Sequence, residues 1–231
     1  MWLQLLFWIC ILTLILFLGL GYITRYSVRR LMGAASLFEG RIAPHKGNSS
    51  PWSDAYFEAD SWASKMGFER FECLNFYALM DEEPVQLASW KHPDHCRYLV
   101  FYFFMEKTWW ELVSVFDNGE TLATSSQRDS LMLPTPEGMY VQAFSQVEPD
   151  ELLRRHCLSE DYIKEQKKTR TVLPNKSLRE LMLKTIQNQI EYVQSSSFWY
   201  MNGAIWYFYR RLAFNGKPVA KTYRHQLKSI A

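Results

Sequence analysis

From Trp2 to Ile23 the chain carries no Asp, Glu, Lys or Arg. Coiled at a helical rise of 1.5 Å per residue, the run is about 33 Å long, enough to cross a hydrocarbon core of about 30 Å. Gln4 and Thr13 interrupt the apolar run, and Trp2, Trp8, Tyr22 and Tyr26 lie towards its ends. Amphipathic rings favour headgroup depth, and a helix satisfies its own backbone in lipid. A cleaved signal peptide fits less well. No Lys or Arg precedes the run, and the small residues Gly33, Ala34, Ala35 and Ser36 come only after Arg25, Arg29 and Arg30. A buried core helix would rarely go so long without a charge. The sequence therefore predicts a transmembrane helix within residues 1–24, with the lipid bilayer as the partner of residues 2–23.

Orientation follows from charge. Arg25, Arg29, Arg30, Arg41 and Lys46 follow the run, whereas the N-terminal side offers only the amino group. Basic residues stay on the cytoplasmic side, so the expectation is a single-pass protein with its N-terminus outside and its body in the cytoplasm. Cys73, Cys96 and Cys157, an odd set beyond Cys10, fit a reducing compartment better than a disulfide framework.

The rest of the 231-residue chain is globular in composition. At 48% hydrophobic and 22% charged it is neither disordered nor a coiled coil, and a mean hydropathy of −0.22 excludes a multi-span protein. A net charge of +2 gives no reason to expect nucleic-acid binding. The charge is segregated, however: residues 1–46 carry +4, residues 47–191 carry −8 and residues 192–231 carry +6. Basic ends could meet anionic lipid headgroups, at about 1 kcal/mol per residue. They could equally rest on the acidic body or be solvated.

Local patterning divides the chain into a transmembrane helix (1–24), a basic juxtamembrane linker (25–51) and an α+β domain (52–231). Ser53 or Asp54 suits the cap of a helix reaching Lys65, ended by Gly67. Strands are predicted over Phe68–Tyr77, Val85–Trp90, Arg97–Met105, Trp109–Phe116, Thr121–Ser125 and Met139–Phe144. In Arg97–Met105 both faces are apolar, Leu99, Phe101 and Phe103 alternating with Tyr98, Val100, Tyr102 and Phe104, which marks a central strand covered on both sides. Asp117-Asn118-Gly119-Glu120 reads as a hairpin turn. Short connections force antiparallel neighbours, so the body reads as an antiparallel β-meander packed by helices. One helix opens at Pro149 with Asp150 and Glu151 in its first turn, and a second starts near Ser177. Phe198–Tyr209, with Asn202-Gly203 at its middle, reads as an aromatic hairpin, with an interfacial helix as the alternative. Asn215-Gly216 marks another turn.

No P-loop, zinc-protease helix, nucleophile elbow, Cys-x-x-Cys or dinucleotide fingerprint occurs. His92, His95 and Cys96 are zinc-ligating types, but Pro93-Asp94 between them reads as a polar turn. His156, on an apolar helix face, reads as a hydrogen-bonded core histidine; Cys157 beside it points elsewhere. The acidic Asp81, Glu82 and Glu83 before Pro84 read as a solvated turn. The aromatic sheet could enclose an apolar ligand, though such residues usually just fill the core. No catalytic, cofactor or metal residue is assigned and no cofactor is expected. The sequence reading is a membrane-anchored, non-catalytic interaction or binding domain with an unnamed protein partner. A tethered enzyme or lipid-binding domain with an unlocated site is the alternative.

Overall fold

The computed structural model describes residues 2–32, 38–41, 43–44, 50–77 and 83–227. An apolar helix, α1 (Trp2–Met32), precedes an α+β body. α1 runs eight residues beyond residue 24, so Arg25 and Arg29 are helical. Strand β1 (Phe38–Arg41) follows, within the stretch read as a linker.

Helix α2 (Pro51–Lys65) starts on Ser50, whose hydroxyl accepts from the Ser53 backbone N–H, with Pro51 at the first helical position. The cap is thus three residues earlier than Ser53. Gly67, at φ +82°, turns the chain out of the helix, a conformation that costs glycine little. The meander follows as β2 (Glu69–Phe76), β3 (Val85–His92), β4 (Arg97–Phe104), β5 (Lys107–Phe116) and β6 (Thr121–Ser125), all antiparallel. The sheet order is β1-β2-β3-β4-β5-β6-β7, which puts β4 at the centre.

The last strand departs from the meander. β7 (Met139–Ala143) pairs with β6 in parallel, Thr121 opposite Met139 and Ser125 opposite Ala143. The connection over residues 126–138, which includes a 3-10 turn at Arg128–Leu131, is long enough to carry the chain back to the starting end. A two-residue strand β8 (Thr171–Val172) pairs with the end of β5.

Helices cover both faces of the sheet. On one, α2 and α3 (Pro149–Lys167) enclose Trp52, Tyr56, Phe68, Trp90, Leu99 and Phe101. On the other, α4 (Leu178–Ser195) lies over Leu74, Leu87, Val100 and Tyr102. The side chains of β4 divide between the two cores as the alternation predicts. Each large side chain buried there contributes about 1.5–3 kcal/mol of transfer free energy. α4 has a capping box, Ser177 and Glu180 satisfying each other's backbone N–H groups.

The segment read as an aromatic hairpin is a helix, α5 (Trp199–Phe214). Gly203 sits inside it without a positive φ, because it meets another helix and not because it turns the chain. Short helices α6 (Val219–Thr222) and α7 (Arg224–Leu227) then place Val219, Tyr223 and Leu227 against Phe116, Leu122, Tyr140 and Ile163.

Candidate membrane-facing surface

α1 is long and apolar enough to cross a membrane over Trp2–Tyr26, and none of its most apolar stretch is buried inside the fold. Its two threonine hydroxyls are paired within the helix: Thr13 Oγ1 donates to Ile9 O at 2.8 Å and Thr24 Oγ1 to Leu20 O at 2.9 Å. In lipid, where water cannot compensate, that pairing removes the cost of the polar group.

The C-terminal part of α1 is held by the body. Val28 is buried against Ile190 and Val193 of α4, with Trp199 and Trp206 of α5 packed on the same cluster. Thr24 touches α5 so closely that a Cβ at Gly203 would lie 2.0 Å from Thr24 Oγ1. Only glycine allows that approach. From this crossing α5 runs antiparallel to α1, back towards its N-terminus. Thr13, Leu16, Phe17 and Leu20 of α1 and Ile205, Phe208, Tyr209, Leu212 and Ala213 of α5 line an apolar groove of about 680 Å³.

α5 has two unlike faces. Ile205, Phe208, Tyr209 and Leu212 are exposed and recur at helical spacing, forming one stripe. The other face turns to the body: Arg210 Nε donates to Leu131 O at 3.1 Å, and Arg211 pairs with Asp129 at 2.5 Å. The apolar stripe therefore extends the uncovered surface of α1, while both arginines point away from it. The groove begins at Thr13, so Trp2–Leu12 project past it by about 16 Å, half the hydrocarbon thickness.

The basic C-terminal residues divide in the same way. Arg210 and Arg211 rest on the body, as one of the two sequence readings had it, whereas Lys217, Lys221 and Arg224 are exposed. At the end of α1, Arg25 and Arg29 are exposed too.

The residues that tempted a catalytic reading are placed elsewhere. The rings of His92 and His95 meet at the β3–β4 turn, centroids 4.4 Å apart and tilted by 50°, and His95 N donates to His92 Nδ1 at 3.3 Å. Among the described residues no group of three metal-ligating side chains could hold an ion. Asp81 and Glu82 lie outside the described residues. His156 is fully buried between α3 and the sheet. Ser114 Oγ donates to Glu160 Oε2 at 2.5 Å, so His156 Nε2–H must be the donor to Ser114 at 2.9 Å. Thr124 Oγ1 accepts from Gln142 Nε2 at 2.8 Å and so donates to His156 Nδ1 at 2.7 Å. The chain of donors ends on Glu160, which Arg97 grips with two hydrogen bonds and Lys164 also reaches. Burial, only partly offset by Glu160, pushes the His156 pKa down to about 3, which keeps the ring neutral. Burial would raise Glu160, but Arg97, Lys164 and Ser114 outweigh it and hold the carboxyl at about 2. Ser114 and His156 are both wholly buried, so this Ser–His pair ties β5, β6, β7 and α3 together and meets no solvent. Cys157 is half-buried and its thiol is pushed up by burial, which makes it a poor nucleophile.

The pairing of α5 with α1 was not readable from local pattern, because Gly203 and Thr24 are far apart in sequence. The one available signal was the spacing of Ile205, Phe208, Tyr209 and Leu212, which suits a helix and not a hairpin. No family model, curated protein or solved structure matches the chain.

Proposed function

We propose that this protein is anchored in a membrane by α1, crosses it once with its N-terminus outside, and holds its body against the cytoplasmic leaflet as a binding module. The observation that carries this reading is the uncovered apolar length of α1. The stripe on α5 supports it: beside the inner-leaflet half of α1, Ile205, Phe208, Tyr209 and Leu212 would meet acyl chains while Arg210 rests on the Leu131 carbonyl and Arg211 pairs with Asp129 of the body. Arg25, Arg29, Lys217 and Lys221 would then be available to anionic headgroups. An interaction role is favoured over catalysis because the Ser114–His156 pair found among the described residues is sealed in the core.

Carbonate extraction and N-terminal sequencing of the mature protein test the anchor. Retention in the membrane fraction with the apolar run still present supports it; a soluble product starting near residue 37 overturns it. For orientation, a cysteine at the exposed Lys107 should resist an impermeant thiol reagent in intact cells and react once they are opened. Labelling in intact cells would reverse the topology.

A second reading rests on the position of α5. Since it flanks α1 from Thr24 back to Thr13, only Trp2–Leu12 extend free, and α1 could enter one leaflet without crossing. Trp2→Cys separates the two: labelling from outside supports a span, and protection from both aqueous sides supports one-leaflet insertion.

A further inference from the structure

At the N-terminal end of α4, away from α1, the sheet edge is notched. β1 pairs only with residues 73–76 of β2, Arg41 lying opposite Cys73. Glu69–Glu72 of β2 have no outer strand neighbour among the described residues. β2 bulges between Arg70 and Cys73, and Ser89 Oγ fills in for the interrupted ladder. It accepts from Glu72 N at 3.1 Å and donates to Glu72 O at 2.8 Å. Bulges of this kind re-aim side chains next to binding sites. The notch is a pocket of about 500 Å³ with mixed polar and apolar walls, and Arg41, Tyr56, Arg70, Glu72, Ser177 and Arg179 are among its lining residues.

The charges around it do not all cancel. Asp60 is occupied by Arg70, whose Nε lies 2.7 Å away, and by Trp90 Nε1 at 3.0 Å. Glu72 is occupied by the start of α4, accepting from Leu178 N at 3.0 Å. Arg41 has no carboxylate partner among the described residues. Its Nη1 donates only to the neutral Asn75 Oδ1, at 3.3 Å, and its guanidinium lies 5.1 Å above the Trp52 ring. It is half-buried, and burial lowers its pKa. A partly desolvated cation held in place without a counter-ion is costly.

Tyr56 supplies an independent observation. It is 2% exposed, stacked on Trp90, and lines the same pocket. Its hydroxyl has no protein hydrogen-bond partner among the described residues and is not wholly buried, so it is open to the pocket. Burial, together with neighbouring Cys73, pushes its pKa up to about 12, so it stays a donor.

We propose that the pocket binds a phosphate group, with Arg41 as the charged fork and Tyr56 Oη as a neutral donor. Arginine's planar fork matches phosphate oxygens, and Tyr56 Oη can donate to a third; the Ser177 hydroxyl at the pocket wall is committed to Glu180. A two-oxygen carboxylate would use fewer of these groups. Asp60 is paired with Arg70, whereas Glu72 keeps its charge and is held on the Leu178 N–H at the start of α4. The phosphate could belong to a soluble phosphate or monoester, or to a lipid headgroup. Arg179 and Ile190, the latter packed beside α1, are about 16 Å apart along α4, which favours the soluble source.

The test is titration calorimetry of the full chain in nonionic detergent with inorganic phosphate, against acetate at matched ionic strength. Saturable phosphate binding that acetate does not reproduce is the expected result. Arg41→Gln should abolish it and Arg41→Lys should retain part of it. Tyr56→Phe should weaken it about tenfold, the loss of one hydrogen bond to a charged group. Melting curves check that each variant is folded, and if Arg41→Gln fails to fold, Tyr56→Phe decides. No saturable phosphate binding in either soluble or lipid form, equal binding of acetate, or full binding by a folded Arg41→Gln would overturn the proposal. Nanodiscs containing phosphatidic acid or only phosphatidylcholine distinguish the sources. Response to phosphatidic acid without response to inorganic phosphate assigns the same site to a lipid headgroup.

Discussion

Between pH 6.5 and 4.5 the body should lose about 2.3 kcal/mol of stability that a His156→Gln variant keeps. The reasoning is a proton count. Unfolded, His156 takes up a proton near pH 6.5. Folded, burial holds its pKa at about 3, so the native state stays unprotonated across the whole window. The unfolded state therefore binds one more proton than the native state, and stability rises with pH at a slope approaching 1.4 kcal/mol per unit. Over two units that is a large share of a net stability of about 5–15 kcal/mol. Glu160, held at about 2, adds its own loss only below about pH 4.3, where its unfolded counterpart protonates. Glu111 works in the opposite sense: burial raises its pKa, so its native state binds more protons as pH falls. That contribution cancels when variant is subtracted from wild type. Urea unfolding of the full chain in nonionic detergent, followed by tryptophan fluorescence at pH 7.5, 6.5, 5.5 and 4.5, gives the two curves. His156→Gln will be less stable at neutral pH, since it cannot serve both Ser114 and Thr124, but its curve should be flatter. Parallel curves would refute the neutral, sealed histidine.

Other outcomes follow from single contacts. Phe101→Ala should cost about 3–5 kcal/mol, because the ring is buried between Trp52 and Trp110; a loss below about 1 kcal/mol in urea unfolding would remove it from the core. Gly203→Ala should lower the melting temperature despite gaining about 1 kcal/mol of helix propensity, and Thr24→Gly in the same chain should restore it, since the nearest obstructing atoms are all Thr24 side chain. An unchanged melting temperature in Gly203→Ala would mean the two helices do not cross there. In a chain shortened to start at Thr24, Lys217→Gln with Lys221→Gln should reduce sedimentation with anionic vesicles at low salt and leave neutral vesicles unaffected. Arg211→Gln should instead cost about 1 kcal/mol in stability by abandoning Asp129.

The body's frame was legible because its signals are local. The alternation in Arg97–Phe104 assigns each side chain to a core, Pro149 and Ser177 mark where two helices begin, and Asn118-Gly119 forms its turn with Gly119 at φ +85°. The failures share one cause, dependence on distant residues. Asn202-Gly203 has the composition of a turn, yet its glycine is required by Thr24. β7 runs parallel because of where a connection returns, which strand pattern does not encode. β1 is four residues long and forms only against β2. The phosphate pocket was illegible for the same reason. Arg41, Tyr56 and Arg70 come from three elements, and each has an ordinary local explanation.

The crossing of Thr24 and Gly203 also orders events during synthesis. The contacts from β2 to β6 join neighbours in sequence and can close as the chain emerges. The crossing cannot. At translation rates of about 5–20 residues per second, Gly203 follows Thr24 by about 10–35 s. For that interval α1 has no α5 beside it, and whatever receives the nascent apolar helix does so before the body can offer it a partner. The glycine thus completes a structure whose first helix emerged long before its partner.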